Sequence, residues 1–281
     1  MRWSAGQGSG NIEDRRGVRL GGGVGLGIGG VILALIAAYF GVDPQVISSF
    51  LGGGSVTETR VPVNESPAEA ELREFVSAVL AETEQVWTDQ FARRGKQYHD
   101  PELVLFREGV QSACGIASSA AGPFYCPSDG KVYLDLAFLD DLRTQLGSPG
   151  DFAQAYVIAH EVGHHVQNLL GISEQVHARQ QAHPELANEL SVRLELQADF
   201  LAGVWAHNAD RMNHILEKGD LEEALNAASH IGDDVLQRRS TGRVTPDSFT
   251  HGTAAQRVRW LRKGMESGRL EDGDTFAASG L

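Results

Sequence analysis

Two histidines four residues apart, His160 and His164, with a glutamate directly after the first, constrain the fold of this chain more than any other feature. Positions i and i+4 share one face of an α-helix about a turn apart, so the two imidazoles converge only if the segment is helical. The surrounding residues agree. Phe152, Ala155, Ile158, Ala159, Val162, Val166 and Leu169 recur at helical spacing. Pro149-Gly150-Asp151 supplies a start signal and Gly171 a stop, which predicts a helix over 151–170.

Converging imidazoles suit a zinc ion, and Glu161 then faces the open side of the metal, where it can take a proton from bound water. This H-E-x-x-H arrangement is the one zinc-dependent peptidases use. Such a centre needs a third protein ligand. Glu195-Leu196-Gln197-Ala198-Asp199 lies in a second helical run, 184–207, with Leu186, Leu190, Leu194, Leu201 and Val204 as its apolar stripe. Glu195 and Asp199 share a face. Ala198, Phe200, Leu201 and Ala202 make that face too apolar for a solvated acidic pair, whereas Glu185 and Glu189 read as solvated. Glu195 is therefore the expected third ligand. Asp199 is the expected acceptor that orients a ligand histidine through its other ring nitrogen. His165, His177, His183, His207, His214 and His230 receive no role.

In H-E-V-G-H-H-V-Q followed by E-L-Q-A-D, the chain resembles the neutral zinc metallopeptidase family (YpfJ-like) of bacterial membrane proteins. The resemblance extends over nearly the whole length. It takes in Asn11-Ile12-Glu13-Asp14-Arg15-Arg16-Gly17, Gly122-Pro123-Phe124-Tyr125-Cys126-Pro127, Ile231-Gly232-Asp233-Asp234 and Ser248-Phe249-Thr250-His251-Gly252. More distantly, E-x-x-A-D is similar to an element of HtpX-like membrane metalloproteases whose Glu binds zinc. Those proteins carry Thr-His-Pro near the C-terminus, where this chain has Thr250-His251-Gly252 without the proline. The resemblance implies a zincin-like fold and a catalytic contribution from His251 to the developing oxyanion. It also places Arg257 near the cleft. In such folds a strand beside the active-site helix binds extended substrate at its edge; Val132–Leu136 is the candidate, with an internal strand as the alternative.

The formal net charge of −13 argues against a nucleic-acid surface. Residues 21–42 contain no charged side chain, a length that suits one transmembrane helix. A glycine-rich linker, a buried core helix and a cleaved signal peptide are the competing readings. Arg2, Arg15, Arg16 and Arg19 precede the span and Asp43 is the first charge after it, so the positive-inside rule puts the N-terminus in the cytoplasm and the bulk outside. No small-x-small cleavage site is evident, which favours an uncleaved single-pass anchor in the cell membrane. Outside the cytoplasm Cys114 and Cys126 would pair.

The expected architecture is α+β: a mainly helical zincin-like metallopeptidase domain with a small sheet, after one N-terminal transmembrane helix. The partition is a cytoplasmic segment 1–20, a transmembrane helix 21–42, a linker 43–65, a catalytic domain 66–268 and a flexible tail 269–281. Further helices are expected over 66–95, 220–239 and 253–268, and strands over 102–110 and 130–136. The reading is a membrane-anchored zinc endopeptidase with His160, His164 and Glu195 as ligands and a protein or peptide as substrate. Two other readings of the same residues stay open. One is a zinc amidase acting on cell-wall material; the other is a silent, zinc-stabilised scaffold.

Overall fold

The computed structural model describes residues 1–4, 6, 8–21, 57–119, 122–144 and 150–281. Its sheet has the order β1-β4-β8-β7, formed by Ile12–Asp14 (β1), Glu102–Phe106 (β4), Lys131–Asp135 (β8) and Phe124–Cys126 (β7). The first three are mutually parallel, and β7 runs antiparallel along β8 at one edge. So β8, the expected substrate edge, is internal: Val132 pairs with Leu103 on one side and Tyr125 on the other. Among the described residues the two edges of the sheet are β1 and β7, and β7 is the one beside β8. Two ribbons complete the strands: Val18–Gly21 (β2) with Thr57–Arg60 (β3), and Gly109–Ser112 (β5) with Gly115–Ser118 (β6). The expected single strand over 102–110 is thus β4 and the start of β5, parted at Glu108 in the left-handed region (φ 62°).

Helices cover the sheet and build the core. Pro67–Ala92 (α1) starts at Ser66, whose hydroxyl accepts from the Glu69 amide, and buries Phe75, Val76, Val79, Leu80, Val86, Trp87 and Phe91. Leu136–Thr144 (α2) follows β8 directly. Asp151–Leu169 (α3) carries the paired histidines and is buried on nearly every side, as befits a central helix. Ile172–Ala182 (α4) leads to Ala187–Asn213 (α5), which carries Glu195 and Asp199. Where one helix was expected over 220–239 there are two, Asp220–His230 (α6) and Asp233–Thr241 (α7), parted at Ile231-Gly232. Ala254–Ser267 (α8) closes the helical set, capped reciprocally by Thr253 and Gln256.

α8 lies unusually close to α5. A Cβ on Gly264 would stand 2.0 Å from the Phe200 carbonyl oxygen, and one on Gly203 2.3 Å from that of Leu261. Only glycine permits this approach. The C-terminal stretch, expected as a flexible tail, packs onto the same helix. Thr275 is fully buried, Gln197 donates to the Gly273 carbonyl at 3.0 Å, and Arg193 donates to the Thr275 carbonyl. Its polar composition hid these backbone acceptors from a reading by hydropathy.

The N-terminal segment also belongs to this body. Trp3 packs edge-on against Phe75, and the Met1 amino group sits 2.6 Å from Asp151. The expected span, 21–42, lies beyond Gly21 outside the described residues. Its flanks do not: Gly21 pairs with Thr57 and Val18 with Arg60. A single membrane crossing would put these paired strands on opposite faces of the bilayer, so the single-pass orientation does not fit. Among the described residues no helix is long and apolar enough to cross a membrane. Cys114 and Cys126 form a disulfide between the β5–β6 turn and β7.

Candidate metal centre

α3 and α5 cross with Gly163 against the backbone of Ala198, where an added Cβ would meet the Ala198 carbonyl oxygen at 3.1 Å. That close crossing brings the two candidate ligand helices face to face. His160 Nε2 lies 3.1 Å from Glu195 Oε2, and His164 Nε2 lies 3.5 Å from the same oxygen. One ligand atom from each of the three residues falls within 4.8 Å of the other two. Zinc bonds of about 2.0–2.1 Å place tetrahedral ligand atoms about 3.3 Å apart. The two spacings to Glu195 Oε2 bracket that value, and the donor set of two imidazoles and a carboxylate suits the ion. The residues present therefore fit a zinc ion.

Both histidines are held through Nδ1. His160 Nδ1 donates to Asp199 Oδ1 at 2.9 Å. His164 Nδ1 donates to Gln167 Oε1 at 2.9 Å, and the Gln167 amide donates in turn to the Leu194 carbonyl (2.7 Å) and Gln197 Oε1 (3.0 Å). With Nδ1 engaged as donor, Nε2 of each ring is left as the lone-pair nitrogen a metal needs.

Asp199 is completely buried and would be costly alone. It is held by a fork from Arg257, with Nε to Oδ2 and an Nη to Oδ1 both at 2.9 Å, and by the Tyr156 hydroxyl at 2.6 Å. Burial raises the Asp199 carboxyl, but Arg257 and His160 outweigh it and bring the pKa down to about 2. Burial also opposes charge on His160; Asp199 and Glu195 prevail and lift its pKa to about 10 in the metal-free protein. Glu195 is held well below the usual carboxylate range, burial being overcome by His164, His251 and His160. The centre thus carries a negative field that retains positive charge.

Glu161 has only 8% of its surface exposed and no hydrogen-bond or ion-pair partner among the described residues. His251 stands apart from the cluster, its side chain half exposed, in electrostatic reach of Glu195. The sequence-predicted set is therefore brought together, with His251 at its margin.

Two contributors, Gln167 and His165, went unassigned in the sequence, and Arg257 was placed near the cleft without a partner. Gln167 lies three residues after His164 on the ligand face, and that spacing was its signal. Arg257 shares a face with the buried Trp260, Leu261 and Gly264, and a charge in such a stripe implies a buried partner. His165 is no surface histidine: it is buried, donates Nε2–H to the His99 carbonyl at 2.7 Å, and takes the Tyr125 hydroxyl at 3.1 Å. Burial lowers its pKa, as the neutral ring requires. Through Tyr125 it fixes edge strand β7 to α3.

Comparison with known proteins agrees with this construction. The family described as "Putative neutral zinc metallopeptidase" matches residues 1–276. The uncharacterized protein YpfJ of Escherichia coli (strain K12) is 50% identical over 290 residues, covering 99% of this chain and all of that protein. The uncharacterized protein Rv2575 of Mycobacterium tuberculosis is 45% identical over 194 residues, 66% of this chain and 65% of its own. No solved structure matches. By the extent of the family match and by full-length identity to YpfJ, the chain belongs to the neutral zinc metallopeptidase family.

Proposed function

We propose that this chain is a zinc-dependent endopeptidase whose substrate is a protein or peptide. One observation carries the reading: three donors within 4.8 Å of one another stand beside Glu161, a buried carboxylate with no partner among the described residues. His160, His164 and Glu195 would hold the metal. A bound zinc ion supplies Lewis acidity toward the scissile carbonyl and lowers the pKa of its water to about 7. Glu161 accepts the proton of the attacking water and passes it to the departing amine. His251 donates toward the oxygen that becomes negative. Asp199 and Gln167 keep the two imidazoles aligned, with Arg257 neutralising Asp199 beneath them. An extended substrate adds its backbone to the free edge of β7, which Tyr125, His165 and Asn168 fasten to the active-site helix.

Membrane attachment belongs to the same proposal. Its support is the absence of Asp, Glu, Lys and Arg from residues 22 to 42. The N-terminal strands and the catalytic domain then share one side of the bilayer.

The test is substrate conversion by the full chain. Unfolded polypeptide should be cleaved, the cleavage should stop with a chelator, and zinc should restore it. Consumption of peptidoglycan fragments with polypeptides left intact would replace this reading with the amidase.

A further inference from the structure

The loop bearing His251 is fastened almost entirely by one carboxylate. Asp233 Oδ2, at the start of α7, accepts three consecutive backbone N–H groups: Thr250 at 2.8 Å, His251 at 2.7 Å and Gly252 at 3.1 Å. Its other oxygen, Oδ1, lies 3.3 Å from His251 Nδ1. The backbone adds a return bond from the Asp233 amide to the Gly252 carbonyl at 2.9 Å, and Asp234 accepts from the Ala254 amide at 2.8 Å. Gly232 lets these segments meet, since a Cβ there would stand 2.2 Å from the Ala254 nitrogen. The junction is also tied to the metal cluster: Arg257, which forks onto Asp199, donates to the Ile231 carbonyl at 3.2 Å.

One carboxylate thus fixes both the height of the loop and the ring it carries. His251 Nδ1 faces Asp233 and the Thr250 hydroxyl, at 3.0 Å from the latter, while Nε2 has no partner among the described residues. We propose that Asp233 is the positioning residue for His251, holding Nδ1 as the donor to its own carboxylate so that Nε2 is the edge presented to substrate. The proposal rests on the reading of His251 as the group that meets the developing oxyanion. It adds the residue that makes this geometry possible. An Asp behind a His fixes ring orientation and tautomer, and favours the imidazolium.

The charged groups facing His251 are Asp233 from α7, Glu195 from α5 and Arg257 from α8. In the metal-free protein burial and Arg257 oppose its positive charge, and Glu195 and Asp233 outweigh them and raise its pKa. Glu195 keeps its charge when Asp233 is neutralised, so Asp233→Asn isolates the Asp233 contribution. Asparagine retains one oxygen for the three backbone donors and sets an amide donor in place of Oδ1, so both the charge and the acceptor behind the ring are removed.

The experiment uses zinc-loaded full chain and two readouts. The first, independent of turnover, is histidine NMR of His251: its pKa should fall in Asp233→Asn, with Thr250→Val as a second variant that leaves the carboxylate in place and shifts it less. The second is a double-mutant cycle on peptide cleavage. Asp233→Asn should lower kcat roughly 10- to 100-fold with KM little changed, and should cost nothing further in a His251→Gln background. An unmoved His251 titration in a folded, zinc-replete Asp233→Asn protein would overturn the proposal. So would a kcat loss of the same size with and without His251, which marks a merely structural role. If His251→Gln is as active as wild type while the titration still shifts, the Asp233–His251 pairing stands and the catalytic reading of His251 is what fails.

Discussion

At the scale of single residues, the expected ligands could be read from spacing within each helix, although Gln167, three residues after His164, was passed over. His160, Glu161, His164, Glu195 and Asp199 follow from helical spacing and from an apolar face that solvated acids would not occupy. Asp233 and the Arg257 fork were not legible, because their partners lie on other elements and no periodicity links them. The titration behaviour of His160 gives a direct prediction. In the metal-free protein its pKa is raised to about 10, so the stability it contributes is fully present below its unfolded value of about 6.5 and is lost as pH rises through about 10. A zinc ligand must be deprotonated, so zinc displaces that proton. Calorimetric titrations in buffers of different ionisation enthalpy at pH 7 should show about one proton released per zinc from His160. Asp199→Asn should reduce both this release and the zinc affinity, the latter about 10- to 100-fold. Zinc uptake without proton release would contradict the assignment of His160 as a ligand.

Among the elements, the long helices with many buried apolar residues were the readable part. α1, α3 and α8 fall within a few residues of their expected bounds, and α5 runs on to Asn213, past its expected end at His207. The merged reading of α6 and α7 failed at Gly232, where close approach to Ala254 rather than any local break in polarity dictates the gap. α4 was missed because it buries little beyond Val176 and Gln180, leaving no apolar stripe to detect. Strand order is a long-range property, so β8 could not be told from an edge until β7 was seen to cover it. The α5–α8 contact yields the prediction at this scale. Gly264→Ala forces a methyl against the Phe200 carbonyl and should cost about 1–3 kcal/mol of stability. It should also loosen the Arg257–Asp199 fork, so zinc affinity falls although no ligand is touched. Thermal unfolding and zinc titration of the variant check both; an unchanged melting temperature would mean that the helices are not in this contact.

For the whole molecule, hydropathy misplaced the ends. An uncharged run from 21 to 42 read as a divider between two compartments, whereas the strands on either side of it pair with each other. Pairing between distant strands leaves no local trace, and neither does the docking of the C-terminal stretch through backbone carbonyls. The consequence is testable in intact cells and in vesicles. Single cysteines placed at the exposed Ser4 and Glu222 should react with an impermeant thiol reagent from the same side of the membrane; labelling from opposite sides would contradict the β2–β3 ribbon. The central claim, that this body is a peptidase built on Glu161, meets its most direct test in Glu161→Gln. The substitution preserves size and all three ligand side chains, and removes only the acceptor for the water proton. Zinc content and melting temperature should match those of wild type, while the rate of peptide cleavage falls at least about a hundredfold. Equal cleavage by the two zinc-replete proteins would contradict the account.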